Sequence, residues 1–145
     1  MPRLLSGIFR FFMTFAVFLY RQTGGKFGGK VQGLNVLLLT TTGRKTGKVR
    51  TTPLGYFEHD GGYVIIASNA GFEAHPGWFH NLRSDPRATI QVNDRQFAVR
   101  AEVAGAEQRG QLWERLMELA PSYANYANRT SREIPVVVLR PAVES

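Results

Sequence analysis

The densest set of chemically active side chains lies in residues 40–50, which read TTTGRKTGKVR. Gly43 and Gly47 permit a tight turn with exposed backbone N–H groups, and Thr46 adds a hydroxyl donor. The same hairpin end carries three cations, Arg44, Lys45 and Arg50. Cations beside free N–H groups can bind a phosphate, whereas the plainer alternative is an ordinary basic hairpin turn. These residues alone leave both interpretations open.

A second constellation combines small residues with an aromatic ring. Residues 67–71, ASNAG, follow a predicted buried strand, and small residues there let a flat ring approach the backbone. Trp78 and Asn81 lie three apart on a predicted short helix, so they share one face. A stacking ring beside a polar side chain suits an aromatic cofactor. The alternative is that Trp78 belongs to the core and Asn81 caps a helix.

The sequence offers little catalytic machinery of its own. It contains no cysteine, which excludes disulfide scaffolds, iron–sulfur clusters, thiolate zinc sites and Cys nucleophiles. Its three histidines, His59, His75 and His80, lack metal-ligand spacing, and no GxSxG motif or evident carboxylate pair is present. We therefore expect no metal site and a chemistry carried by a bound cofactor.

The elements that must position these residues are mostly strands. A chain of 145 residues with 43% hydrophobic and 20% charged residues is typical of one globular domain. Turn residues separate six β-rich runs, at 36–42, 49–57, 63–67, 88–92, 96–103 and 136–139. Helices are predicted at 76–85 and 106–120. Six short strands with few helices predict a mainly β, α+β fold built on a small antiparallel barrel.

The N-terminal segment is both apolar and cationic. Residues 4–20 form the most apolar stretch, but it is short for a membrane span and contains Arg10. The net charge is +7, and no acidic residue precedes Glu58, so a polyanionic partner is expected. The helix predicted at 1–21 either packs in the core or an oligomer interface, or lies in an anionic membrane interface. A Gly-rich joint (22–33) and a cofactor-binding domain (34–145) are predicted to follow.

Four stretches carry a resemblance to a known family. In order they are LLLTTTGRKTGKVRTTPL, YVIIASNAG, HPGWFHNLRSDP and PSYANYANRTSREIPVVVL, within roughly residues 20–141. They resemble the deazaflavin-dependent nitroreductase and quinone reductase family. The resemblance implies a split β-barrel of the flavin-mononucleotide-binding type. It also implies coenzyme F-420, an 8-hydroxy-5-deazaflavin with a phosphate and an oligoglutamate tail, as donor of a hydride to quinones and, incidentally, to nitroaromatics.

The resemblance also implies roles for individual residues. The phosphate and tail would be bound by Arg44, Lys45, Thr46 and Arg50. The deazaflavin would be surrounded by Pro53, Ala67, Ser68, Asn69, Trp78 and Asn81. The substrate side would be lined by Tyr123 and Tyr126, with a tyrosine hydroxyl, Ser68 or water as proton source. Two residues depart from the family pattern, because Asn69 and Gly77 stand where a relative has Lys and Met.

Three alternatives accompany this interpretation. They are a flavin-mononucleotide (FMN) oxidoreductase of the same fold, a non-catalytic deazaflavin carrier, and a small-barrel nucleic-acid binder. The last is disfavoured because the aromatic residues do not interleave with the basic ones on one strand pair. We expect a quinone or nitroaromatic substrate, a homodimer, no nucleic acid, and a cytoplasmic location at the inner face of the membrane.

Overall fold

The computed structural model describes residues 17–18, 20–21, 30–31 and 33–142. The strands are β1 Lys30–Val31, β2 Leu34–Thr42, β3 Val49–His59, β4 Gly62–Ile66, β5 Arg87–Val92, β6 Arg95–Val103 and β7 Val136–Pro141. The helices are α1 Gly77–Ser84, α2 Ala106–Leu119 and α3 Tyr123–Arg129, with a short 3-10 turn at Asn69–Gly71. The six predicted strands and two predicted helices are confirmed, with bounds that differ by no more than two residues.

The strands close into an antiparallel barrel. Their order is β1-β2-β3-β4-β7-β6-β5, and β2 also pairs with β5, which joins the two ends of the sheet. The short strand β1 pairs with the start of β2, through Lys30 opposite Asn35 and Val31 opposite Leu34. Strand pairing therefore begins inside the range 22–33 that was predicted as a joint. The antiparallel barrel predicted from the sequence is confirmed.

Alternation along each strand gives the barrel an inner core and two outer ones. The inner core contains Leu37, Leu39, Tyr56, Tyr63, Ile65, Ala67, Ile90, Val92, Val99, Val137 and Leu139. One outer core packs α2 and α3 against the sheet, and includes Leu34, Phe57, Val64, Ile66, Leu112, Leu116, Tyr123, Val136 and Val138. The helices thus cover one outer face of the sheet and leave the barrel interior to the strands.

Helical residues 17–18 and 20–21 pack on the other outer face of the sheet. Val17 and Tyr20 are buried against Val36 and Leu38. The Tyr20 hydroxyl donates to the Val36 carbonyl at 2.8 Å and accepts from the Asn93 amide at 3.0 Å. Most of the helix predicted at 1–21 lies outside the described residues. Within the described part of the chain, no helix is long and apolar enough to cross a membrane.

One end of the barrel gathers most of the predicted site residues. Helix α1 packs Trp78, Phe79 and Leu82 into the inner core. The β2–β3 hairpin lies at the same end, because the Arg44 amide is bonded to the Asn81 side chain of α1. The Asn69–Gly71 turn follows the end of β4. Because β3 and β4 are antiparallel, the end of β4 lies at the same end of the barrel as the start of β3.

Candidate functional site

The β2–β3 hairpin uses most of its own backbone amides. Gly43 donates to the Lys48 carbonyl at 2.7 Å, and Gly47 donates to the Gly43 carbonyl at 2.8 Å. The Lys48 amide is bonded to Thr46 Oγ1 at 3.2 Å, and the Arg44 amide to Asn81 Oδ1 at 3.1 Å. Of the amides of residues 43–48, only those of Lys45 and Thr46 make no hydrogen bond within the described residues. Anion binding here must therefore rest mainly on side chains.

The side chains of the hairpin leave a positive surface. Its four exposed cations are Arg44, Lys45, Lys48 and Arg50, and none forms an ion pair with any described residue. Burial lowers the pKa of the nearby His80, and the charges of Arg44, Arg83 and Lys45 lower it further. His80 is thus disfavoured as a further cation near neutral pH. The surface carries an excess of positive charge suited to a phosphate or carboxylate ligand.

Asn81 connects the hairpin to the barrel. Its side chain is 7% exposed, and its Nδ2 donates to Thr41 Oγ1 at 3.1 Å while its Oδ1 accepts from the Arg44 amide. Helix α1 begins after Pro76, so the side chain of Asn81 does not cap its N-terminus. Both polar atoms of the Asn81 side chain are therefore bonded within the protein, Oδ1 to the Arg44 amide and Nδ2 to Thr41. Contact between Asn81 and a cofactor stays a prediction.

Strands β3 and β4 separate beside the hairpin end. Their pairing ends at Tyr56 opposite Ile65, although β3 extends back to Val49. If that register continued, Pro53 would stand opposite Ser68 on the outer face. Arg50 pairs with Thr41 and lies three positions before Pro53 on β3. Because side chains alternate along a strand, the side chain of Arg50 is on the opposite, inner face. The part of β3 from Val49 to Gly55 therefore has no partner in β4, and we call this unpaired edge, with the chain that follows β4, the gap between β3 and β4.

The chain after β4 is held in an unusual conformation. Asn69, Ala70 and Gly71 have φ values of 46°, 54° and 81°, all left-handed. A Cβ placed on Gly71 would lie 2.9 Å from the Cβ of Arg129 in α3, so only glycine fits there. The Asn69 side chain donates to the Ala74 carbonyl at 2.9 Å. The predicted site residues Ser68 and Asn69 therefore occupy a constrained loop.

The two predicted substrate-side tyrosines share one face of α3. Their ring centroids are 5.5 Å apart at 84°. Tyr123 is buried in the outer core, where a Cβ placed on Gly55 of β3 would lie 3.1 Å from its hydroxyl oxygen. Burial raises the pKa of Tyr123 to about 12, with a smaller contribution from Tyr126. Tyr126 is half-buried. The two rings thus contact each other on one face of α3, and of the two only Tyr126 retains appreciable exposure.

Trp78 and Ala67 belong to the inner core. Trp78 is 8% exposed and Ala67 is fully buried, as expected for the alternative in which the ring serves the core. Their contact with a cofactor ring stays a prediction. The structure thus separates the predicted ring-binding residues into two groups. Pro53, Ser68 and Asn69 lie beside the gap between β3 and β4, whereas Ala67, Trp78 and Asn81 are buried.

Comparison with known proteins identifies the family. A family model described as "F420H(2)-dependent quinone reductase" matches residues 13–141. The chain belongs to this family. An F420H(2)-dependent quinone reductase of Mycobacterium tuberculosis (strain H37Rv) is 42% identical over 125 residues, covering 83% of this chain and 84% of the relative.

Solved structures agree with this assignment. A structure of an F420-H2-dependent reductase superposes with a TM-score of 0.66 at 36% identity, covering 72% of this chain and 93% of that one. Another, described as a domain-swapped dimer, has a TM-score of 0.69 at 31% identity and covers 86% and 92%. The split-barrel fold is thus confirmed. As a member of the quinone reductase family, the chain is an oxidoreductase and coenzyme F-420 is its cofactor.

The residues at the barrel end of this quinone reductase fit such a cofactor. The unpaired cations of the hairpin match its phosphate and carboxylates, and the gap between β3 and β4 offers backbone to a planar ring. No group of three His, Asp or Glu side chains within the described residues is placed to hold a metal ion. Arg132 makes extensive contacts with the loop of residues 67–75, although no sequence pattern marks it. A lone Arg in a connecting loop carries no local pattern that would mark it.

Proposed function

We propose that this chain transfers a hydride from reduced coenzyme F-420 to menaquinone-like quinones and, incidentally, to nitroaromatic compounds. The observation that carries the proposal is the unpaired cationic hairpin at the same barrel end as the gap between β3 and β4. A ligand that combines anionic groups with a planar ring would find complementary chemistry for both parts at this end.

Specific residues would share the work. Arg44, Lys45 and Arg50 would hold the phosphate and tail carboxylates, while Thr46 offers its amide. Pro53, Ser68 and Asn69 would orient the ring. Coenzyme F-420, when bound, supplies the hydride. The protein's contribution is placement of donor and acceptor and a hydrogen bond to the quinone oxygen as it becomes negative. Tyr126 is our candidate for that bond.

A turnover assay tests the proposal. The purified chain is mixed with reduced F-420 and menadione, and return of oxidised F-420 fluorescence is followed. We expect saturable turnover with menadione and slower turnover with a nitroaromatic. In a parallel assay that follows flavin absorbance, we expect the chain to add nothing to the uncatalysed reduction of menadione by reduced flavin mononucleotide. A rate above that background would favour the flavin alternative. Saturable F-420 binding without turnover of any quinone would indicate a carrier.

We also propose that the N-terminal segment attaches the protein to the anionic inner face of the cell membrane, close to lipid-soluble quinones. Exposed apolar and cationic side chains of the described residues support this. Phe18 is 55% exposed, three residues from the cation Arg21, and Val49 next to the hairpin is 71% exposed. Apolar side chains bordered by cations favour an anionic membrane interface.

Charge reversal in the full-length chain tests attachment. Because each cation near an anionic surface contributes about 1 kcal/mol, Arg3→Glu with Arg10→Glu should abolish co-sedimentation with phosphatidylserine vesicles. Reduction of water-soluble menadione should persist. The control, Arg115→Glu on α2, should sediment like the wild type. If light scattering instead gives a dimer that the double variant loses, the segment forms an oligomer interface and the membrane proposal is wrong.

A further inference from the structure

The loop that carries Ser68 and Asn69 is fastened by one arginine from a distant part of the chain. Arg132 lies between α3 and β7, and its guanidinium reaches four acceptors. Its Nη2 donates to the carbonyls of Ala67 at 3.1 Å and Ser68 at 3.0 Å. Its Nε donates to the Phe72 carbonyl at 3.0 Å, and its Nη1 lies 3.0 Å from His75 Nδ1. The acceptors span residues 67–75, which is the whole connection from β4 towards α1.

The contacts of Arg132 lie next to residues 69–71, whose backbone is left-handed. The left-handed conformation is unfavourable for a non-glycine residue such as Ala70, and it persists only where the surrounding structure holds it. The Ser68 carbonyl also accepts from the Gly71 amide at 2.9 Å, and the Asn69 carbonyl accepts from Phe72 at 3.0 Å. Arg132 therefore bonds directly to a carbonyl that closes the strained turn.

Two neighbouring groups keep Arg132 in place. The Glu73 carboxylate accepts from the Ser131 amide at 3.0 Å and from its hydroxyl at 2.8 Å, and these bonds lower the pKa of Glu73. Burial, followed by the charges of Arg132, His80 and Arg83, lowers the pKa of His75. A neutral His75 can accept at Nδ1 from Arg132, whereas a protonated ring could not. The loop and the α3–β7 connection are thus tied at two points.

We propose that Arg132 is a positioning residue for quinone reduction, because its guanidinium holds residues 67–75 in the conformation that presents Ser68 and Asn69 to the cofactor. The proposal rests on the function proposed above. A planar five-donor guanidinium can serve several acceptors from one position, while a lysine ammonium offers three donors around a point. The arrangement therefore requires Arg and is only partly met by Lys.

The test compares Arg132→Met and Arg132→Lys with a control, Arg140→Met. Arg140 lies on β7, and its Nε donates to Glu102 Oε2 of β6 at 2.9 Å. It makes no hydrogen bond to residues 67–75 or to the α3–β7 connection. Two quantities are measured in each full-length variant. They are hydrogen exchange at the Gly71 and Phe72 amides without ligand, and steady-state reduction of menadione by reduced F-420.

We expect Arg132→Met to speed exchange at both amides by about tenfold or more. We expect it to lower kcat by roughly tenfold to a hundredfold through misplacement of the reacting groups. Arg132→Lys should lie between Arg132→Met and the wild type, and Arg140→Met should match the wild type in both measurements. Unchanged exchange in both Arg132 variants overturns the inference, as does normal kcat despite faster exchange. An inactive wild type overturns the proposed function instead, together with the catalytic part of this inference.

Discussion

Replacing Arg44 and Lys45 together by Ala will lower the affinity for coenzyme F-420 by a hundredfold or more, on the order of two charge-assisted hydrogen bonds of about 1.5–3 kcal/mol each. Both side chains are exposed and form no ion pair with any described residue, so no internal acid offsets the loss. Four of the six amides in residues 43–48 are already bonded, so the backbone cannot replace the missing cations. Fluorescence titration of F-420 measures the change.

A charge-matched variant separates specific binding from general attraction. Arg95→Ala with Arg115→Ala removes the same charge from other places. The pairing of Leu38 with Gln91 puts the β5–β6 turn, and Arg95 after it, beside the start of β2, roughly 20 Å from the hairpin. We expect this control variant to lose at most a little affinity for F-420. Raising the salt concentration should weaken wild-type binding more than that of the Arg44 and Lys45 variant. Equal affinities in the two double variants would contradict a phosphate site at the hairpin.

Local sequence patterns predicted the elements of this fold well. Alternating apolar residues bounded by turn residues located the strands, because a half-buried strand has that period wherever it lies. The same patterns did not reveal the strand order. Strand β7 lies between β4 and β6 in the sheet. The sequence of its Val136–Leu139 segment predicts a buried strand but not which strands it pairs with. The pairing of two distant segments cannot be predicted from the sequence of either segment alone.

The site was harder to predict for a related reason. Asn81 was predicted as a ring neighbour or a helix cap, yet its side chain bonds Thr41 and the Arg44 amide, about 40 residues away in sequence. Arg132 acts on backbone carbonyls, which every residue has, so no partner residue type signals it. The left-handed turn contains Ala70, a residue with no preference for that conformation. Polar contacts to backbone escape analysis by residue type.

Removing the Tyr126 hydroxyl will slow quinone reduction while leaving cofactor binding nearly unchanged. Tyr126→Phe keeps the ring, which contacts Tyr123 edge to face, and removes one hydrogen-bond donor. If that donor stabilises the quinone oxygen as it gains charge, turnover should fall by roughly tenfold to a hundredfold, or about 1.4–2.7 kcal/mol. Steady-state reduction of menadione gives kcat, and fluorescence titration gives the F-420 affinity.

Tyr123→Phe is the matched comparison, because the two tyrosines differ mainly in environment. The Tyr123 hydroxyl is buried towards Gly55 of β3, and burial raises its pKa to about 12, which disfavours release of its proton at neutral pH. We therefore expect a clearly smaller loss of turnover from Tyr123→Phe than from Tyr126→Phe. Full rates in both variants would make the tyrosines part of the scaffold and leave water or Ser68 as the proton source. Ser68→Ala then decides between those two, since Ser68 lies on the opposite side of the gap from Pro53 and its hydroxyl is the remaining predicted donor there.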